Sequence, residues 1–113
     1  MNDKLSALTL NFSIKIINLS ENIKGHSSIA NQPERSATSI GANLREARYA
    51  HSKADFVAKL QISLKECYET EYWLEIIQKA ALAPIEKVSQ LLHESGSIRR
   101  LLISSINTVK SKL

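Results

Sequence analysis

Four long segments of this chain repeat apolar residues at spacings of three and four, and little interrupts them: glycine occurs three times and proline twice in 113 residues. That spacing lays the apolar side chains along one stripe of an α-helix, and each stripe must be buried against another. In the first segment, from about Asn2 to Ile23, the stripe is Leu5, Leu8, Phe12, Ile16, Leu19 and Ile23. Gly25 and the run His26-Ser27-Ser28 end it. The second runs from about Gln32 to Ala50, with Asn31 as its N-cap and Pro33 in the first turn, where a missing N–H costs little. Its stripe of Ser36/Ala37, Ile40, Asn43/Leu44 and Ala47 is built from small residues, so a neighbouring helix can come close. Gly41 suits that approach, at a helix-propensity cost of about 1 kcal/mol.

The third segment starts at Ser52, where Ser52-Lys53-Ala54-Asp55 resembles a capping box with Asp in place of Glu. Phe56, Leu60, Ser63/Leu64, Cys67, Leu74 and Ile77 carry its stripe to about Ala80. After a break at Ala81-Leu82-Ala83-Pro84, the fourth stripe is Ile85, Val88, Leu91, Leu92, Ile98, Leu101, Leu102, Ile106 and Val109. Ser95-Gly96-Ser97 lies inside it and marks either a local weak point or a close helix contact. Four such helices on short links predict one all-α domain over residues 1–113, an antiparallel up-down-up-down four-helix bundle. The link between the second and third is nearly absent, so those two form a tight hairpin.

Composition closes other routes. Aromatics at 5% and so few turn residues exclude a β-sandwich or small barrel. The lone cysteine, Cys67, excludes an internal disulfide and a Cys-based zinc cluster. No run reaches the roughly 18 apolar residues of a membrane span, and Met1-Asn2-Asp3-Lys4 leads into no signal-like core. These features predict a cytoplasmic protein with no membrane partner.

The hairpin also sets a charge register. With its turn near 51 or 52, Arg35 falls level with about residue 68 at the ordinary helical rise. That predicts an ion pair with Glu66, Glu69 or Glu71, worth only about 0–1 kcal/mol if exposed and setting helix register if buried. Asn43 falls level with Leu60, near Lys59 and Ser63. The same topology gathers Lys4, Arg45, Arg48, His51, Lys53, Lys110 and Lys112 at one end, opposed by Asp3, Glu46, Asp55 and the C-terminal carboxylate. With a net charge of +4, this basic pole is a candidate phosphate-contacting surface. Cations at helix C-termini also arise simply because the macrodipole favours them there.

No enzyme constellation can be assembled. The three glycines are too scattered for a phosphate loop, and there is no HExxH. None of His26, His51 and His93 follows an acidic residue at three positions, so a di-iron bundle is excluded and no metal or cofactor is expected. Cys67 has no histidine to activate it and reads as a small buried apolar residue. Glu66, Glu69, Glu71 and Glu75 spread around more than one helix face, as a solvated or inter-subunit surface does. Tyr68, Tyr72 and Trp73 could stack on bases, anchor a protein interface or close the core; an interface or bundle groove is favoured.

Three stretches, Arg35-Ser36-Ala37-Thr38-Ser39-Ile40-Gly41-Ala42-Asn43-Leu44-Arg45-Glu46-Ala47, Ser52-Lys53-Ala54-Asp55-Phe56 and Leu64-Lys65-Glu66-Cys67-Tyr68-Glu69-Thr70-Glu71-Tyr72-Trp73-Leu74, come in this order. Together they resemble the bacterial four-helix-bundle family of rRNA intervening-sequence proteins, over about residues 5–110. The chain departs from the family's pattern at Lys65-Glu66, where small residues are usual, and at Ala47, where many relatives have Gly. The resemblance implies an up-down bundle that assembles into a homopentameric ring. It is also similar to the accessory proteins of diversity-generating retroelements, whose ring binds nucleic acid and a reverse transcriptase. By that analogy the expected partners are a second copy of the chain, RNA or DNA at Arg45, Arg48, Lys53, Lys110 and Lys112, and a partner protein. Arg35, Asn43, Glu66, Glu69, Glu71, Tyr72 and Trp73 are the expected inter-helix or interface residues.

Overall fold

A computed structural model describes residues 3–112 of the chain; the expected helix start at Asn2, the Asp3 side chain and the C-terminal carboxylate of Leu113 lie outside the described residues. The elements are α1 (Asp3–Glu21), α2 (Ser27–Ala47), α3 (Lys53–Lys79) and α4 (Ile85–Lys110), with no strand among the described residues. Sequential helices pack side by side, α1 closes onto α4, and the backbones of the diagonal pairs stay apart. The result is a four-helix bundle of 47 × 20 × 19 Å.

Helix ends follow local chemistry at some places and override it at others. Ser52 caps α3 as expected: its Oγ accepts from Asp55 N at 3.0 Å. The reciprocal bond runs from His51 N to Asp55 Oδ2 at 3.1 Å, one residue earlier than in a standard capping box. The start of α2 corrects the sequence expectation. The helix begins at Ser27 behind His26, so Asn31 is an interior residue and not the N-cap. Pro33 is buried inside the helix, where it removes the bond to the Ile29 carbonyl. Gly25 at φ +82° completes the reversal early, and the extra turn buries Ala30 and half-buries Ile29. Helix α2 also stops at Ala47, short of Ala50.

At the far end of α3 the chain makes a Schellman closure. Ala81 N donates to Gln78 O at 3.1 Å and Leu82 N donates to Ile77 O at 3.0 Å. The residue that must turn left-handed there is Ala81, at φ +56°, where glycine is the usual occupant.

The expected stripes form the core, with informative exceptions. On α3, Val57 is buried and Phe56 only half-buried, and Thr70 fills the gap between Cys67 and Leu74. On α4, Ile85 is 61% exposed, contrary to its place in the stripe, because it is the first helical residue and lies below the layer that begins at Val88. Helix α4 runs unbroken through Ser95-Gly96-Ser97, so the run is no weak point, and Ser95 makes the close contact there, with Cys67 of α3.

Buried hydroxyls line the contacts between neighbours. Ser13 Oγ lies 2.9 Å from the Thr9 carbonyl of its own helix and 3.2 Å from the Ala37 carbonyl of α2. Ser63 Oγ donates to Ile40 O at 2.8 Å across the α2–α3 contact. Ser36 Oγ and Thr70 Oγ1 are 2.7 Å apart; because Thr70 donates to Glu66 O at 2.8 Å, Ser36 is the donor into Thr70. Between α3 and α4, Cys67 Sγ sits 3.3 Å from Ser95 Oγ and 3.4 Å from Ser95 O.

Two outcomes follow from this packing. Ala81→Gly relieves the left-handed strain and raises unfolding free energy by about 1 kcal/mol at unchanged m value, read by urea denaturation. Ser63→Leu forces a branched side chain into the α2–α3 contact and lowers stability by about 1–3 kcal/mol. A neutral Ser63→Leu would contradict the close approach.

Candidate nucleic-acid interface

The beginning of α1, the end of α2, the beginning of α3 and the end of α4 meet at one pole. A 240 Å³ notch there is lined by Leu5, Leu44, Phe56, Leu60, Ser104, Ser105, Thr108 and Val109, residues of all four helices. Around it stand exposed cations. Arg45 is in the last turn of α2 and lines a 440 Å³ groove between α1 and α2, together with Thr9, Leu10, Gly41 and Glu46. Arg48, at the C-cap of α2, donates from Nη2 to Ser6 Oγ of α1 at 2.9 Å. Lys53 opens α3, Lys110 closes α4, and Lys112 follows it, all exposed. Lys4 is exposed on the first turns of α1.

The described carboxylates at this pole are already engaged. Glu46 accepts from Lys59 Nζ of α3 at 3.1 Å, and Asp55 caps the α3 N-terminus through His51 N. Helix dipoles explain Arg45 and Lys110, which sit at C-termini where partial negative charge accumulates. They do not explain Lys53, which adds its charge to the partly positive N-terminus of α3. The pole therefore carries more positive charge than capping requires.

The expected hairpin pair is present midway along the bundle. Arg35 Nη2 bonds to Glu69 Oε2, and its Nη1 lies 3.6 Å from Glu66 Oε1. The same Glu69 oxygen accepts from Trp73 Nε1 at 3.0 Å. The Trp73 hydrogen bond, followed by the Arg35 bond and charge, holds the Glu69 carboxyl below the usual range, against some desolvation. Glu69 in turn holds the Arg35 guanidinium above its ordinary value, chiefly through their hydrogen bond. Trp73 is half-buried against this pair, and Tyr72 stands outside it, 57% exposed, with the two rings edge to face at 5.3 Å. Asn43 bonds within α2, to Ser39 O at 2.9 Å, and the contact across the hairpin near it belongs to Ser63.

Glu71 does not join Arg35. It faces α4, where its Oε2 accepts from Arg99 Nε at 3.0 Å and from Ser95 Oγ at 3.1 Å. Arg99 also lies over the Tyr68 ring at 5.8 Å from its centroid. The sequence reading missed Arg99; the run of two arginines beside Ser95-Gly96-Ser97 was the available signal. Cys67, beside this cluster, has its thiol pushed up to about 11, first by burial, so it stays protonated at neutral pH. Among the described residues no group of three or more His, Cys, Asp or Glu could hold a metal ion. No described helix is long and apolar enough to cross a membrane.

Comparison with known proteins bears on this arrangement. Residues 4–104 match the model of a family described as 23S rRNA-intervening sequence protein. A solved structure from Bacteroides thetaiotaomicron, described as a protein of unknown function from the S23 ribosomal protein family, superposes with a TM-score of 0.84 at 41% identity, over 90% of this chain and 97% of that one. No curated protein matches.

The Glu69 geometry predicts an acid transition visible in the single tryptophan. Its folded-state carboxyl titrates below the unfolded value, so its contribution to stability is full above the unfolded value of about 4.3 and is lost as pH falls through the lower folded one. Trp73 fluorescence should change with a midpoint below the ordinary Glu range, and Glu69→Gln should abolish that change. A midpoint at or above the ordinary range would contradict the shared hydrogen bond.

Proposed function

Because this chain belongs to the 23S rRNA-intervening sequence protein family, we propose that it is a non-enzymatic, self-assembling bundle of the bacterial cytoplasm that binds nucleic acid, RNA foremost, through its basic pole. The observation that carries this reading is the pole itself. Arg45, Arg48, Lys53, Lys110 and Lys112 share one end of the bundle, while Glu46 and Asp55 are committed to Lys59 and to the α3 cap. Cations gathered at the end of a bundle contact phosphates without reading bases, so binding is strong in salt dependence and weak in sequence preference. Arg45 and Arg48 flank the α1–α2 groove and supply the main contacts; Lys53, Lys110 and Lys112 extend them across the end.

Self-association rests on a separate observation. Helix α1 carries a second apolar row on its outer side, Ala7, Leu10 and Ile14, with Leu10 54% and Ile14 49% exposed. Helix α3 exposes Ile62, Tyr68 and Tyr72 on its own outer surface. Two different apolar faces on one subunit suit a head-to-tail contact, the kind that closes into a ring such as a pentamer. The competing reading is a scaffold without nucleic acid, docking a partner protein beside Tyr72 and Trp73. The exposure of Tyr72 favours it, and the engagement of Trp73 by Glu69 weighs against it.

Titration of a labelled structured RNA at 50 and 200 mM salt tests the proposal. Affinity should fall about 10-fold or more between the two salts, and Arg45→Ala with Arg48→Ala should weaken low-salt binding about 10-fold and flatten the salt slope by about two. Absence of binding at low salt removes the proposal and leaves the scaffold reading. Sedimentation should give a mass several times that of one chain, and Ile14→Glu should lower it toward the monomer.

A further inference from the structure

Arg99 and Arg100 are consecutive on α4, so their Cα–Cβ bonds diverge by about 100° around the helix. Their guanidinium groups nevertheless converge. A Cβ placed on Gly96, one turn earlier, would lie 3.3 Å from Arg99 Nη2 and 3.3 Å from Arg100 Nη1. The two nitrogens are therefore no farther apart than twice that distance. Like charges gathered over one backbone position repel unless an anion joins them.

Each guanidinium is hydrogen-bonded through a nitrogen other than the convergent one. Arg99 is pinned through Nε by Glu71 at 3.0 Å and rests over Tyr68. Arg100 is pinned through Nη2 by Ser97 Oγ at 3.3 Å. Among the described residues Arg100 has no carboxylate partner, so the pair retains net positive charge after Glu71 is counted. Gly96 gives an independent indication. In a helix interior glycine is unfavourable, and no atom of α1, α2 or α3 lies where its side chain would be. The only groups that its missing side chain accommodates are these two guanidinium tips.

We infer that Arg99 Nη2 and Arg100 Nη1, seated over Gly96 and steadied by Glu71 and Ser97, form a binding site for a phosphate group. Paired guanidinium edges supply several charge-assisted donors to the oxygens of a tetrahedral oxyanion, a geometry that lysines cannot reproduce. The site stands apart from the basic pole, ten residues before Lys110, or about 15 Å along α4. Identifying the phosphate as part of a nucleic-acid strand rests on the proposed function; the anion site itself does not. A strand leaving the pole along α4 would bring a backbone phosphate to it, with the exposed Tyr68 ring beside it as a surface for stacking.

Inorganic phosphate titrated into the full-length protein, with sodium chloride at matched ionic strength as control, tests the site by ¹⁵N NMR. The Gly96 amide and the Arg99 and Arg100 Nε resonances should shift saturably with phosphate and not with chloride. Arg100→Gln, an exposed substitution that leaves the core intact, should weaken that saturation at least fivefold. In the RNA titration the same variant should lower the salt slope by about one. Saturation that survives Arg100→Gln unchanged, or shifts no different from those in chloride, overturns the site. Phosphate saturation at Gly96 in a protein that binds no RNA at low salt sustains the site and overturns only the nucleic-acid reading.

Discussion

The bundle depends on short polar side chains that lie between helices and, with the exception of the buried Ser20 Oγ, find a carbonyl or hydroxyl partner there. Ser13, Ser36, Ser63 and Thr70 each bond to a carbonyl or to one another within or across their contact. A buried hydroxyl without a partner costs about 1–3 kcal/mol, so these residues are tolerable only because the neighbouring backbone is close enough to accept from them. The closeness in turn requires Ala37 and Gly41 in place of larger residues. Cys67 against Ser95 extends the same solution to the α3–α4 contact, with a thiol kept protonated by its burial.

That arrangement leaves no room for long side chains at the contacts, and it decides where charge can go. Arg35, Glu66, Glu69, Glu71, Arg99, Glu46 and Lys59 all lie along the flanks of the seams, where their stems cover apolar surface and their heads pair in partial contact with water. Being partly exposed, these pairs set the register of α2 on α3 and of α3 on α4 more than they add stability. Arg45, Arg48, Lys53, Lys110 and Lys112 stand at the pole formed by the end of α2, the start of α3 and the end of α4.

Much of this was legible in the sequence, and the exceptions have physical causes. The four stripes, the cap at Ser52 and the pairing of Arg35 with glutamates of α3 all follow from helical geometry and the antiparallel hairpin, though its link, expected to be nearly absent, runs over residues 48–52. The start of α2 was not legible. Asn31 ahead of Pro33 is a stronger local start signal than His26, but the burial of Ala30 and Ile29 outweighs it. Thr9, Ser13 and Thr70 were invisible to a hydrophobic pattern, since a hydroxyl that bonds its own helix packs like an apolar group. Arg99 was missed because Glu71 was assigned to α2, although the α3–α4 link (residues 80–84) is as short as the α2–α3 link (residues 48–52). For the interface, sequence and topology together reach the pole but carry no record of its ligand.

The hydroxyl zippers join α1 to α2, α2 to α3 and α3 to α4, and stop there. Helices α1 and α4 close the circle through Lys15 and Glu94 at 2.9 Å, beside a long groove floored by Leu19 and Leu91. The bundle is in effect a pleated ribbon of four rods folded until its margins meet, and not a uniformly bonded cylinder. Such a ribbon parts first along its margins. Amide exchange should run fastest on α1 and α4 and slowest in the central hairpin, which keeps its α2–α3 seam when either outer rod lifts away.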